Sequence, residues 1–177
     1  MVMPRAVIVV DMQNGFLKPT GTLYCGDEAR RIIEPVRRRV EREKAQGAVL
    51  FFTQDTHVPD DREFDMFPPH CIEGSGEELV IDELADLAAV AVVVKKRRYS
   101  AFFETDLGDR LQELTPDEVV VMGDCTDICV LHTVAGLRNR DYAVEVPADC
   151  VTSFDAGQHA WALDHMEKIL GARITNR

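Results

Sequence analysis

Apolar, β-branched runs alternate along this chain with segments whose apolar residues recur every three or four positions. Mostly apolar stretches occupy Ala6–Val10 and residues 48–53, 90–94, 119–122 and 143–146, and a short last strand is expected at Arg173–Thr175. Strands that are continuously apolar, rather than alternating, belong to sheets covered on both faces. Between them, the helical period predicts a helix capped by Asp27, carrying Ile32, Ile33, Val36 and Val40 and stopped at Gly47. Further helices are expected near residues 77–84 and over 106–114, 127–140 and 154–170. Strand alternating with helix implies βαβ units and a parallel sheet, hence a three-layer α/β/α domain.

Length and composition sharpen this picture. The chain has 177 residues, 46% of them apolar, which suits one domain over residues 1–177 with a well-developed core. No segment reaches 18 uninterrupted apolar residues, and the N-terminus runs into the first strand without a signal-peptide pattern. A soluble, cytoplasmic protein is expected. With 20 Lys and Arg against 31 Asp and Glu, the net charge is −11, which argues against nucleic acid or an anionic membrane as partner. The one basic cluster, Lys95-Lys96-Arg97-Arg98, is too short to reverse that balance. Cysteines at 25, 71, 125, 129 and 150 contain no CxxC pair, a poor framework for disulfides or a zinc finger, so reduced thiols are expected.

In an open parallel sheet, ligands bind at the carboxyl ends of the strands. The residues expected there are Asp11, Asp55 and His57, Lys96, and the run Gly123-Asp-Cys-Thr-Asp-Ile-Cys129. Cys129 falls where a helix starts, with Thr126 as N-cap and Asp127 complementing the dipole; a thiol there is expected to have a lowered pKa. Taken alone, Cys129 reads equally as a small buried residue, Asp11 as a turn cap and Lys96 as one charge in a basic run. Together, a carboxylate, an amine and a thiol at three strand ends suit nucleophilic attack on an amide or ester carbonyl. Asp11 would exchange the proton, and Lys96 would turn inward to pair with it. The segment from Gln54 to Gly76 has no obvious element, and loops of that length in compact domains are usually functional. It holds Asp55, His57, Glu63 and His70, two carboxylates and two imidazoles suited to a divalent ion.

At this point the chain resembles the isochorismatase-like cysteine hydrolases, and within them it is most similar to nicotinamidases. The resemblance rests on Ile8-Val-Val-Asp11-Met-Gln-Asn-Gly-Phe16, Lys96-Arg-Arg-Tyr-Ser-Ala-Phe102 and Gly123-Asp-Cys-Thr-Asp-Ile-Cys129-Val. It implies a six-stranded, mostly parallel sheet between helices and a catalytic triad of Asp11, Lys96 and Cys129. It also implies a cis peptide just before residue 125, with the backbone N–H groups of Cys125 and Cys129 facing one oxyanion. Isochorismatases proper lack the cysteine nucleophile, which sets Cys129 against that subgroup.

The resemblance further implies that the long loop carries a metal holding the pyridine nitrogen of the substrate. Asp55, His57 and His70 match that motif; Glu63 stands where the family often has histidine, with Asp61 and Asp65 as neighbours. Zinc, iron and manganese all suit such a mixed N/O set. Phe16, Phe67 and Tyr99 match positions lining the pocket around the pyridine ring, though each would be unremarkable as a core aromatic. The expected activity is hydrolysis of nicotinamide to nicotinate and ammonia in pyridine nucleotide salvage, by a homo-oligomer acting on a small molecule. The rivals are a metal-independent small-amide or carbamoyl-amide hydrolase, a non-catalytic binding or scaffold member, and a thiol-redox protein using Cys125 and Cys129. Cys25, Cys71 and Cys150 carry no argued role, and His132, His159 and His165 read as helix packing or surface residues.

Overall fold

The computed structural model describes residues 4–177. Seven parallel strands form one sheet: β1 Ala6–Val10, β2 Val49–Asp55, β3 Val92–Lys96, β4 Val119–Asp124, β5 Val144–Pro147, β6 Val151–Thr152 and β7 Arg173–Thr175. The order is β3-β2-β1-β4-β5-β7, with β6 beside β4. Six strands were expected from the family pattern; the seventh, β6, is a two-residue pairing of Gly123 with Val151 and Asp124 with Thr152. So short a run leaves no periodicity to read.

Alternate residues of the strands feed two cores. Ile8, Val10, Val119 and Val121 pack with Leu107 and Leu111 of α4 (Leu107–Leu114), Val134 and Leu137 of α5 (Leu131–Arg138) and Leu163 and Met166 of α6 (Ala156–Lys168). Val7, Val9, Val120 and Met122 face the other way, onto Val36 and Val40 of α2 (Ile33–Ala45). None of these helices is long and apolar enough to cross a membrane. The chain moves from β1 through β2 to β3 on one side, then jumps back to place β4 on the other side of β1. That reversal opens a crevice above β1 and β4, and every candidate site residue gathers at that end. Gly123 lets the two strands close up there: its φ is +119°, and a Cβ would lie 2.1 Å from the Val10 carbonyl oxygen.

Several local expectations fail for identifiable reasons. Residues 77–81 are not helical; only Asp82–Leu84, a 3₁₀ turn, and Ala85–Ala88 are. The carboxylates of Glu77 and Glu78 instead accept backbone N–H groups of Thr22, Cys71, Gly74 and Gly76 at 2.7–3.1 Å, and Val80 bridges antiparallel to Gln13. Asp27 does not cap α2. It opens a 3₁₀ segment, Asp27–Ile32, and its carboxylate takes the Tyr24 hydroxyl at 2.5 Å. The third strand begins at Val92, not at residue 90, and runs on to contain Lys96.

A charge network lies toward the opposite end of the sheet. Arg39, 7% exposed, reaches Glu43 and Glu145 at 2.8 Å, while Arg5 reaches Glu43, Glu118 and Glu145 at 2.7–3.0 Å.

Candidate active site

Asp11 ends β1 in the left-handed region, at φ 49°, which carries its carboxylate over the strand ends. Thr53 on β2 fixes it by donating to Oδ1 at 2.6 Å while accepting from the Asp11 N–H at 3.1 Å. Alternation on β3 separates the two lysines: Lys95 faces solvent and pairs with Glu73, and Lys96 is buried. The Lys96 Nζ sits 2.8 Å from Asp11 Oδ2, 3.0 Å from Asp55 Oδ1 and 3.5 Å from Cys129 Sγ. One ammonium thus joins two carboxylates and the thiol, all of them buried.

Cys129 comes from a π-helical turn, Thr126–Val130, that leads into α5, and the Asp124–Cys125 peptide before it is cis. Thr126 is not the N-cap. That place belongs to Cys125, while the Thr126 hydroxyl lies 2.8 Å from His159 Nδ1 on α6 and the Asp127 carboxylate accepts from the Ser153 hydroxyl. The expected lowering of the thiol pKa also fails. Burial pushes the Cys129 thiol well up, and the Lys96 charge only partly offsets it against Asp11 and Asp55. The two carboxyls are driven apart. Burial pushes Asp11 up despite Lys96, whereas Lys96 together with His57 and His70 overcomes burial and holds Asp55 well below the usual carboxylate range. A raised carboxyl beside an ionised one is the arrangement that separates a proton-exchanging group from a fixed charge.

The loop after β2 returns both histidines to Asp55. His57 Nε2 is 3.2 Å and His70 Nε2 3.5 Å from Asp55 Oδ2, and each is 3.9 Å from Glu63 Oε1. All four residues are buried, and one ligand atom from each lies within 4.8 Å of the others. The outer nitrogens are already engaged: His57 Nδ1 with Asp61 Oδ2 at 3.1 Å, and His70 Nδ1 with the Pro68 carbonyl at 2.9 Å. This turns both Nε2 atoms inward toward Asp55 and Glu63, the orientation a metal-binding histidine needs. Glu63 Oε2 is buried with no hydrogen-bond partner among the described residues. The donor set, its net negative charge and that orphaned oxygen fit a divalent cation.

A small cavity connects the two halves, with Asp11, Cys125 and Cys129 along one part and Asp55, Glu63 and His70 along another. Phe16, Phe67 and Tyr99 all line it, and the Phe16 ring lies 5.8 Å from that of His70. The structure therefore brings together every residue expected at the site. It adds supports that the sequence concealed. Gln13 ties the β2 end to the loop through Asp55 N and O and the Glu78 carbonyl, at 2.7–2.9 Å. Asp61 accepts from Glu63 N–H and from Arg98 besides its contact with His57. Asp124 lines the cavity. The polar run around Gln13 is the only local signal for the first of these.

Residues 5–177 match the isochorismatase domain family. Among solved structures, a pyrazinamidase/nicotinamidase from Streptococcus mutans superimposes with TM-score 0.92 at 36% identity, covering 96% of this chain and 99% of that one. An N-carbamoylsarcosine amidase from Thermoplasma acidophilum gives 0.87 at 33% identity, over 98% and 96%. A pyrazinamidase from Pyrococcus horikoshii, in complex with zinc, gives 0.89 at 28% identity, over 98% and 99%.

Proposed function

The chain belongs to the isochorismatase family and is an amide-hydrolysing enzyme, and we propose that it is a cysteine-dependent nicotinamidase converting nicotinamide to nicotinate and ammonia. The observation that carries this reading is the single Lys96 ammonium in contact with Asp11, Asp55 and Cys129. Such a contact set suits a proton acceptor and a nucleophile that share one cation.

The resting thiol is protonated, so attack is coupled to proton transfer. Asp11 accepts the Cys129 proton as Sγ adds to the carboxamide carbon, and Lys96 limits the cost of the developing thiolate. The tetrahedral oxyanion is held by the backbone N–H groups of Cys125 and Cys129. Asp11 then returns its proton to the departing ammonia, leaving a thioester on Cys129. A water molecule that gives its proton to Asp11 cleaves this thioester, releasing nicotinate and restoring the thiol.

Asp55, His57, Glu63 and His70 would hold a divalent metal, with zinc, iron and manganese the candidates for that donor set. When bound, the ion supplies a Lewis-acid contact for a ring nitrogen. Phe16, Phe67 and Tyr99 flank the ring. Asp55 faces both halves, which gives substrate anchoring and acyl chemistry one shared carboxylate.

Ammonia release from nicotinamide, measured with and without chelation, tests the reading. Release that stops on chelation and returns with metal supports it. Full activity in metal-free protein instead favours a metal-independent small-amide or carbamoyl-amide hydrolase, the latter of the kind named for the Thermoplasma relative, and no release from any small amide favours a binding role.

A further inference from the structure

Asp124, the last residue of β4, is the one carboxyl in the cavity wall that the mechanism above leaves without a task. It is 1% exposed, and neither of its oxygens has a hydrogen-bond partner among the described residues. The other carboxyls at the strand ends are paired: Asp11 with Thr53 and Lys96, Asp55 with Lys96 and His57. An unpaired buried carboxyl lowers stability, and an apolar side chain of similar size would fill the space without that loss. Its retention at the wall of a ligand cavity is explained if the missing partner arrives with the ligand.

Position identifies which part of the ligand that is. Asp124 directly precedes Cys125 and lines the same cavity as Asp11 and Cys129. A substrate carbonyl seated against the Cys129 thiol carries its leaving group among these residues. The nitrogen of a primary carboxamide has two N–H groups, and Asp11 can accept only one while it manages the proton. The second needs an acceptor within the cavity. Burial, with smaller contributions from Cys25 and Asp11, also pushes the Asp124 carboxyl well above the usual range. A neutral carboxyl can accept from the amide nitrogen while keeping a donor for a second contact, and it adds no charge beside the nucleophile.

We propose that Asp124 is a specificity residue that accepts a hydrogen bond from the –NH₂ of a primary carboxamide and so selects amides over esters of the same acid. This rests on the amidohydrolase reading above.

The test compares nicotinamide with methyl nicotinate, which presents the same ring and acyl carbon but no N–H. Both are assayed on wild type, Asp124→Asn and Asp124→Val. Wild type should favour the amide in kcat/KM relative to the intrinsic reactivity of the two compounds. Asp124→Val should lower kcat/KM for the amide by about tenfold or more and change the ester by less than about twofold. Asp124→Asn, which keeps an acceptor oxygen, should retain most of the amide activity. The Val variant should also melt no lower than wild type, because it removes an unpaired polar group; a purely structural Asp124 would melt lower. If the Val variant does not fold, Asp124→Ser, which withdraws the oxygen from the cavity, takes its place with the same expected fall in the amide-to-ester ratio. Equal losses on both substrates, or an unchanged amide rate, overturn the role of Asp124 and leave the amidohydrolase reading standing. A wild type that hydrolyses neither compound overturns that reading, and this inference with it.

Discussion

Asp55 and Lys96 are register partners on β2 and β3, and their side chains meet at 3.0 Å above the sheet. Asp55 divides its oxygens, Oδ1 to the Lys96 ammonium and Oδ2 to the imidazoles of His57 and His70. The candidate metal set and the triad therefore share one carboxylate. Asp55→Asn should reduce both metal content and kcat, whereas a change confined to the loop should act mainly on metal content and KM. Metal analysis alongside steady-state kinetics on one preparation checks this; a variant with full kcat and no metal would separate the two halves.

Cys129→Ala should abolish turnover and leave the melting temperature within a few degrees of wild type, since a small buried side chain is exchanged for a smaller one. Cys125→Ala should be much milder, because its proposed contribution is a backbone N–H. Substantial ammonia release by Cys129→Ala would mean that the nucleophile lies elsewhere.

Lys96→Ala should lower kcat by orders of magnitude, roughly 10² or more, by leaving Asp11 and Asp55 facing each other without their shared cation. Lys95→Ala, which loses only an exposed pair with Glu73, should change kcat by less than about twofold. Similar effects from the two substitutions would remove the assignment of Lys96.

Glu63→Ala should weaken metal retention and raise KM for nicotinamide before it affects kcat. Glu63 Oε2 has only a long ion-pair contact with Arg98, at 3.7 Å, to lose, so the fold itself should tolerate the change. Stoichiometric metal determination on wild type and variant decides the point; equal metal content in both would take Glu63 out of the ligand set.

The charge network around Arg39 makes a separate statement about stability. Burial pushes Glu145 up, but hydrogen bonds from Arg39 and Thr175 and the charges of Arg39 and Arg173 hold it below its ordinary value. A carboxylate with a lowered folded-state pKa contributes stability above its unfolded pKa of about 4.5 and loses that contribution as the pH falls through the folded value. Glu145→Gln should cost about 1.5 kcal/mol near neutral pH, because it leaves buried Arg39 with Glu43 as its one carboxylate partner. It should also flatten the fall in melting temperature between about pH 5 and pH 3. Parallel pH-dependent melting curves for wild type and variant would show that Glu145 is not the group responsible.

What could be read from the sequence, and what could not, divides along the range of the interactions. β1, β2 and β4 are visible as continuous apolar runs because both of their faces are covered. The proposed triad residues and the four candidate loop ligands could be singled out because side chains at strand ends need no knowledge of distant partners. Residues 77–81 misled because their helical spacing of apolar positions competes with Glu77 and Glu78, whose carboxylates close loops around Thr22 and Gly74. Thr126 has cap chemistry, but its hydroxyl is claimed by His159, 33 residues away. The Cys129 pKa depends on burial and on carboxylates from two other strands, which no local reading of a helix start contains. Asp124 carries no local signal at all; its interest lies in partners it lacks.

The long loop after β2 is held by bonds that owe nothing to a bound ion. His57 is bridged to Ile72, the Glu78 carboxylate gathers the N–H groups of Gly74 and Gly76, and Gln13 clasps the backbone at Asp55 and Glu78. The candidate ligand cup is thus held by the protein alone, and an ion taken up there would have little chain left to order. Uptake of the ion should then resemble filling a rigid chelator, with only a small loss of conformational entropy set against its affinity. Proton exchange of the loop amides should be nearly as slow before loading as after it.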